Sequence, residues 1–200
     1  MPRNDAASTT KAPPQAVKPI VEVYSPAARK FHWITVALIA LQVPIGFYMV
    51  YRGATLNIWD GLTNNLYSSH KLIGFIILWL MLARLYYRLS RGAPADEPTI
   101  EPWQKVVSHI THWAIYVLLI LVPIGGWIGV SAYPATSIFE LFSLPSIWSE
   151  DKKFAEMILA YHSQAAIVLC LLIAMHVGAA LFHHLIRKDN VLRRMIGQPK

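Results

Sequence analysis

The chain of 200 residues contains eight histidines, and all of them lie in or beside long apolar segments. Four have a spacing that could bind metal: His32, His70, His162 and His176. His162 and His176 are 14 residues apart. On a helix turning about 100° per residue, this spacing puts both rings on one face, roughly 21 Å apart along the axis. One helix face therefore presents two imidazoles at two depths.

The other two histidines match those depths. His32 lies near the same end of the first apolar segment as His176 does of the last, and His70 matches His162. A titratable ring is costly inside a bilayer and is usually functional there. Two neutral imidazoles on opposite sides of one iron give a six-coordinate haem suited to electron transfer. The pattern therefore predicts two stacked haems, with all four histidines as iron ligands.

Other interpretations of these residues are weaker. A single buried histidine is as often a hydrogen-bonded core residue, so the paired depths carry the prediction. Zinc would require three or four ligands, often including thiolate or carboxylate. The single cysteine, Cys170, lies mid-span and suits packing. The chain has no Cys-x-x-Cys-His motif, so we expect non-covalent haem b rather than covalent attachment.

Further residues are expected beside the predicted haems, two of them from the same 14-residue spacing and Gly74 because it lies four positions after His70. Gly46 lies 14 positions after His32, and Arg84 lies 14 after His70. We expect Gly46 and Gly74 to leave clearance for a flat macrocycle, and Arg84 to pair with its propionates. Helix packing is the alternative for each of the two glycines.

Two histidines, His109 and His112, stand at the depth of His32 and His176. We expect one of them to contact a quinone or a haem propionate, and a role at the membrane interface is the alternative. His183 and His184 fall at the inner membrane boundary, where extension of the side chain to lipid headgroups would account for at least one of them.

Composition indicates the elements that must hold these residues. The chain is 55% hydrophobic and 14% charged, whereas soluble domains carry about 25% charged residues. We predict four membrane spans, at Phe31–Tyr51, Leu66–Tyr87, Val106–Val130 and within Met157–Asp189. The expected fold is an all-α, integral membrane four-helix bundle occupying residues 24–190. A disordered tail at 1–23 and a C-terminal tail at 191–200 would flank it.

Smaller features can also be placed. Ser25 and Pro26 have the residue types of an N-cap and first helical position. The apolar residues at 138–142 and 147–148 predict a short interfacial helix. Gly125 and Gly129 form a small-xxx-small pair typical of close helix packing.

The basic residues predict the orientation. Four spans place both termini on one side, and 14 of the 18 Lys and Arg residues fall on that side. The positive-inside rule therefore predicts cytoplasmic termini in a bacterial inner membrane. This basicity is a topology signal and an anionic-lipid contact rather than a sign of nucleic-acid binding.

Several segments resemble the bacterial cytochrome b561 family: YSPAARKFHW (24–33), SSHKLIGFIILWLMLARLYYRL (68–89), HITHWAIYVLLILVPIGGWIGVSA (109–132), YHSQAA (161–166) and MHVGAALFHHLIRKDNVLRRM (175–195). The resemblance implies a four-helix dihaem membrane cytochrome with the same ligand pairs. It also implies redox exchange with membrane quinone, ubiquinone being the expected partner. Some members are similar to superoxide:quinone oxidoreductases.

We therefore expect electron transfer between a periplasmic donor, superoxide or a protein, and quinone. A superoxide role predicts a positive funnel formed by Arg52, Lys71, Lys152 and Lys153 near the outer haem. One alternative is the membrane anchor of a hydrogenase or formate dehydrogenase complex. A non-redox alternative is a histidine-lined proton or metal transporter, although the inverted repeats common in transporters are not recognisable here.

Overall fold

Four long helices make up most of the computed structural model, which describes residues 22–198. They are α1 (Pro26–Val50), α2 (Gly61–Arg91), α3 (Pro102–Ala132) and α4 (Lys152–Phe182), followed by a short α5 (Val191–Ile196). One π-helical turn extends α1 over Tyr51–Thr55, and another extends α4 over His183–Arg187. All four long helices have the length and hydropathy to cross a membrane. The predicted all-α membrane bundle is confirmed, while the predicted tail at 1–23 lies outside the described residues except for 22 and 23.

Polar caps fix where the helices begin, which is why they extend beyond their apolar spans. The Ser25 hydroxyl accepts a hydrogen bond from the Ala28 backbone N–H at 3.2 Å, and Pro26 opens α1 as predicted. Asp60 caps α2 by accepting from the Thr63 backbone N–H at 2.9 Å. That bond and the Arg52 guanidinium, 2.6 Å away, hold the pKa of the Asp60 carboxyl below its usual value. The capped turns continue each helix into the polar region, where hydropathy gives no signal.

The helices pack in chain order, α1 on α2, α2 on α3 and α3 on α4. Their shared core is a mid-membrane cluster of Ile77, Met81, Leu119 and Leu169. A Cβ atom added at Gly129 would lie 2.5 Å from Leu159 Cδ2, so this glycine lets α3 and α4 approach closely. Beyond the adjoining helix backbone, no described atom lies within 4 Å of the corresponding position at Gly125. The predicted small-residue contact thus holds for Gly129 alone.

The connection between α3 and α4 differs from the prediction. The expected interfacial helix is wrong, because the segment forms a small antiparallel hairpin of β1 (Ser137–Ile138) and β2 (Phe142–Ser143). Phe139 and Glu140 at its tip have φ of 51° and 60°, a left-handed conformation that cannot continue an α-helix. Ile138 is fully buried and anchors the first strand.

Side chains at the start of α2 fasten the hairpin to the bundle. Lys71 Nζ donates to the backbone carbonyl of Ala135 at 2.9 Å and also to that of Ser137. Ser68 Oγ accepts from the Phe139 backbone N–H at 3.0 Å. Because Lys71 directly follows His70, the hairpin is held beside one of the predicted ligands.

Candidate haem-binding sites

At two levels of the bundle, a histidine on one helix faces a histidine on another helix. The inner couple joins His32 on α1 to His176 on α4, with ring centroids 6.3 Å apart and planes at 71°. The outer couple joins His70 on α2 to His162 on α4, with centroids 6.1 Å apart and planes at 86°. We call inner the end of the bundle where α1 begins and α4 ends. The structure brings these four residues together in the pairs that their depths predict, and ligation itself stays a prediction.

The separation of the rings can be compared with what one metal ion requires. Metal–imidazole bonds are about 2.0–2.1 Å long, which places two rings on opposite sides of one ion with centroids roughly 6 Å apart. Both couples have this separation. The rings therefore have the spacing of axial ligands before any cofactor is considered.

Local contacts prepare the outer couple for a metal. His162 Nδ1 lies 2.8 Å from the Val122 carbonyl oxygen and donates to it, which leaves the lone pair on Nε2 free. Metal-binding histidines commonly donate their other ring N–H to a carbonyl in this way. A Cβ atom at Gly126 would lie 3.0 Å from His162 Cε1, and one at Gly46 would lie 3.0 Å from His70 Cε1. These two glycines form a cradle that admits the imidazole rings.

Gly126 was not singled out in the sequence, although a signal for it exists. It follows His112 by 14 residues, the same offset that separates Gly46 from His32. The 14-residue spacing on α3 therefore points to Gly126 as well. Gly46 was predicted to give clearance to a macrocycle, and in the structure its free face admits the edge of the His70 ring.

A glutamine on α1 reaches the outer couple. Gln42 Nε2 donates to the His70 backbone carbonyl at 3.0 Å and lies 3.3 Å from His70 Nε2. A Cβ atom at Gly74 would lie 3.2 Å from Gln42 Nε2, so Gly74 accommodates this amide rather than facing a ring. Within residues 22–198, Gln42 Oε1 and His70 Nδ1 are both buried without a hydrogen-bond partner.

The inner couple lies in more polar surroundings. Arg84 Nη2 lies 3.1 Å from His32 Nδ1, and the Arg84 guanidinium stacks 5.1 Å from the centroid of the Tyr116 ring. His112 places its ring 5.0 Å from that of His176, while its Nδ1 donates to the Ser108 carbonyl at 2.7 Å. The inner level thus combines three imidazoles with one guanidinium.

Arg84 imposes a condition on ligation at this level. A guanidinium only donates hydrogen bonds, so the ring nitrogen that faces it must accept. Ligation through His32 Nε2 needs the proton on Nδ1, and Arg84 must then release the ring. The outer couple fits a metal once the Gln42 amide leaves His70 Nε2, and the inner couple fits one once Arg84 turns to another acceptor.

The remaining predicted histidines lie elsewhere. His109 is exposed at the inner end and pairs with Asp96 at 3.2 Å, so the structure does not bring it to the inner couple. His183 is buried, and its Nδ1 lies 2.5 Å from Asp189 Oδ2, so this ring does not extend to the headgroups. The π-helical turn at His183–Arg187 places the two partners together, which α-helical periodicity would not predict.

Opposed histidines between apolar, membrane-crossing helices define the class of membrane cytochromes b. The chain belongs to the prokaryotic cytochrome b561 family, which matches it over residues 23–198. It is therefore a multi-pass membrane protein of electron transfer, and its family implies haem b. A histidine-lined transporter is accordingly set aside.

Individual relatives cover most of the chain. Cytochrome b561 homolog 2 of Escherichia coli (strain K12) is 29% identical over 178 residues, covering 88% of this chain and 93% of the relative. Cytochrome b561 homolog 1 of the same organism is 29% identical over 174 residues, or 84% and 94% of the two chains. Probable superoxide oxidase CybB of Yersinia pestis is 35% identical over 130 residues, or 64% and 72%.

Proposed function

We propose that this cytochrome binds two haems b, one at each histidine couple, and transfers electrons between a donor on the outer side and ubiquinone. The observation that carries the proposal is the presence of two couples with ligand-like separations of 6.3 and 6.1 Å at two depths. Family membership supports haem b, and the second couple supports a second haem.

Each histidine couple is assigned to one haem. A haem held by two histidines would supply one-electron transfer rather than substrate binding. His32 and His176 would hold the inner haem, and His70 and His162 the outer one. The buried apolar cluster that contains Ile77 and Leu119 lies between the two levels.

The inner level offers contacts for propionates and quinone. Arg84 must leave His32 when iron binds, and a propionate is the acceptor we propose for it. His112 is the better candidate for a quinone contact, since its Nδ1 is engaged with Ser108 and its ring lies beside His176. His109 is tied to the α2–α3 connection through Asp96, which favours a structural role at the surface.

Haem content in ligand variants tests the proposal. Purified wild type should be red, with dithionite-reducible α-bands and two haems per chain by pyridine haemochrome. His162→Ala and His176→Ala should each lower this to about one haem, because one axial bond alone holds haem weakly. His109→Ala is the matched control and should keep both haems. A colourless wild type, or full haem content in either ligand variant, would refute the proposed sites.

Superoxide is the donor favoured by the name of the Yersinia pestis relative. The structure nevertheless leaves fewer than the four predicted cations available to attract superoxide. Arg52 pairs with Asp60 at 2.6 Å, and Lys71 donates to hairpin carbonyls. Lys152 and Lys153 are exposed and are the two cations left for steering.

Stopped-flow reduction of the haem by superoxide tests this candidate. Replacing Lys152 and Lys153 by Glu should slow the reaction about tenfold or more at low salt, because steering changes association rates by 10–10³. Raising the ionic strength should remove the difference. Lys105→Glu, at the opposite end of the bundle, is the control. An unchanged rate and salt dependence in the double variant would argue against steering by these residues.

A further inference from the structure

The amide of Gln42 stands against one of the proposed ligands, within a helix that is otherwise apolar at this depth. Among residues 22–198, its nitrogen is the only side-chain atom shown in a hydrogen bond with the His70 ring. The amide nitrogen also donates to the His70 backbone carbonyl at 3.0 Å, so the side chain spans from α1 to α2 at this level. A polar side chain in a membrane helix is costly without such partners.

The contact determines the tautomer of the ring. An amide nitrogen only donates hydrogen bonds, so His70 Nε2, 3.3 Å away, accepts and His70 Nδ1 carries the proton. This tautomer has its lone pair on Nε2, the nitrogen that a metal would take. His162 has the same tautomer, fixed from α3 by the Val122 carbonyl. Both rings of the outer couple therefore carry the proton on Nδ1 and the lone pair on Nε2, one fixed from α1 and the other from α3.

One hydrogen bond is missing from this arrangement. His70 Nδ1 is a buried donor without an acceptor, and Gln42 Oε1 is a buried acceptor without a donor, within the described part of the chain. The two groups are complementary and belong to side chains that already touch. Gly74 leaves room for the amide to turn, since a Cβ there would lie 3.2 Å from Gln42 Nε2.

We propose that Gln42 is a positioning residue for the outer haem, with its Oε1 accepting the Nδ1–H proton of His70 once iron occupies Nε2. The proposal rests on the two-haem function above. A neutral acceptor at this nitrogen fixes the ring orientation and raises the basicity of the ligand. Greater basicity favours ferric over ferrous iron, so Gln42 lowers the reduction potential of the outer haem.

Redox titration of the haem bands in three variants tests the proposal. Gln42→Leu removes the acceptor at similar volume, and the outer haem should be reduced at a higher potential and be lost about 10-fold more readily. Gln42→Glu retains an acceptor and adds negative charge, so the potential should move the opposite way. Gln164→Leu, at an exposed position on α4, is the matched control and should leave both haems unchanged.

The outer haem is identified as the one that His162→Ala loses, and the inner haem should titrate as in wild type throughout. Gly74→Ala is a second, milder variant that crowds the amide and should shift the outer haem in the direction of Gln42→Leu. Shifts of the same sign in Gln42→Leu and Gln42→Glu, or a lower melting temperature with unchanged potentials, would show that Gln42 only packs. A wild type lacking two haems would instead refute the proposed function itself.

Discussion

At the residue scale, two adjacent glycines offer a controlled test of the outer couple. A Cβ at Gly126 would lie 3.0 Å from His162 Cε1, whereas none of the described atoms beyond the adjoining helix backbone lies within 4 Å of one at Gly125. Gly126→Val should therefore displace the His162 ring and leave about one haem per chain, at an overpacking cost of about 1–3 kcal/mol. Gly125→Val should keep two haems. Equal haem content in the two purified variants would show that the His162 ring does not need the space left by Gly126.

The same residues show what sequence alone can predict about the site. The histidine couples followed from depth, because helical rise converts a residue interval directly into distance along the membrane normal. Gly126 was within reach of that argument. The contact between Gln42 and Gly74 was not, because it depends on the rotation of α1 against α2. Periodicity measures position along one helix and says nothing about how two helices are turned toward each other.

At the scale of elements, Lys71 on α2 holds the outer hairpin, so replacing this residue tests how firmly the hairpin is attached. Lys71→Met removes the ammonium group that donates hydrogen bonds to the Ala135 and Ser137 carbonyls. A charge-assisted hydrogen bond contributes about 1.5–3 kcal/mol when it is fully desolvated, and each of these contributes less because the site is half-buried. Amide hydrogen exchange at Leu141 and Leu144 should rise about tenfold or more through local opening. Exchange in the helices should stay unchanged.

Lys152→Met is the matched control, since Lys152 is exposed and its side chain makes none of the contacts described. Protection at Leu141 and Leu144 that survives in Lys71→Met would mean that burial of Ile138 alone holds the hairpin. The hairpin itself was beyond sequence reasoning. Two consecutive non-glycine residues at positive φ are disfavoured locally, and the contacts that stabilise them here come from α2, about 70 residues earlier in the chain.

At the scale of the whole molecule, the first and last segments that the structure describes meet at one end of the bundle. Arg194 Nε donates to the Glu22 carbonyl at 2.6 Å, and Trp33 Nε1 donates to the Met195 carbonyl at 3.1 Å. The end of α2 that carries Arg84 and the π-helical turn after α4 that carries Arg187 lie at this same inner end. Hydropathy predicted the even number of spans. It did not predict that α5 docks against α1, because a helix of six residues is too short to show a hydrophobic period.

The direction in which the inner end faces decides which side of the membrane each histidine couple lies nearest. We predict a cytoplasmic inner end, because the sequence assigns 14 of the 18 basic residues to segments on that side of the four spans and basic segments resist translocation. Green fluorescent protein fused after residue 200 should fluoresce, while alkaline phosphatase at the same site should be inactive. Alkaline phosphatase inserted after Glu150, in the α3–α4 connection, should be active. The reverse pattern would place the outer couple on the cytoplasmic side, where a periplasmic donor could not reach it.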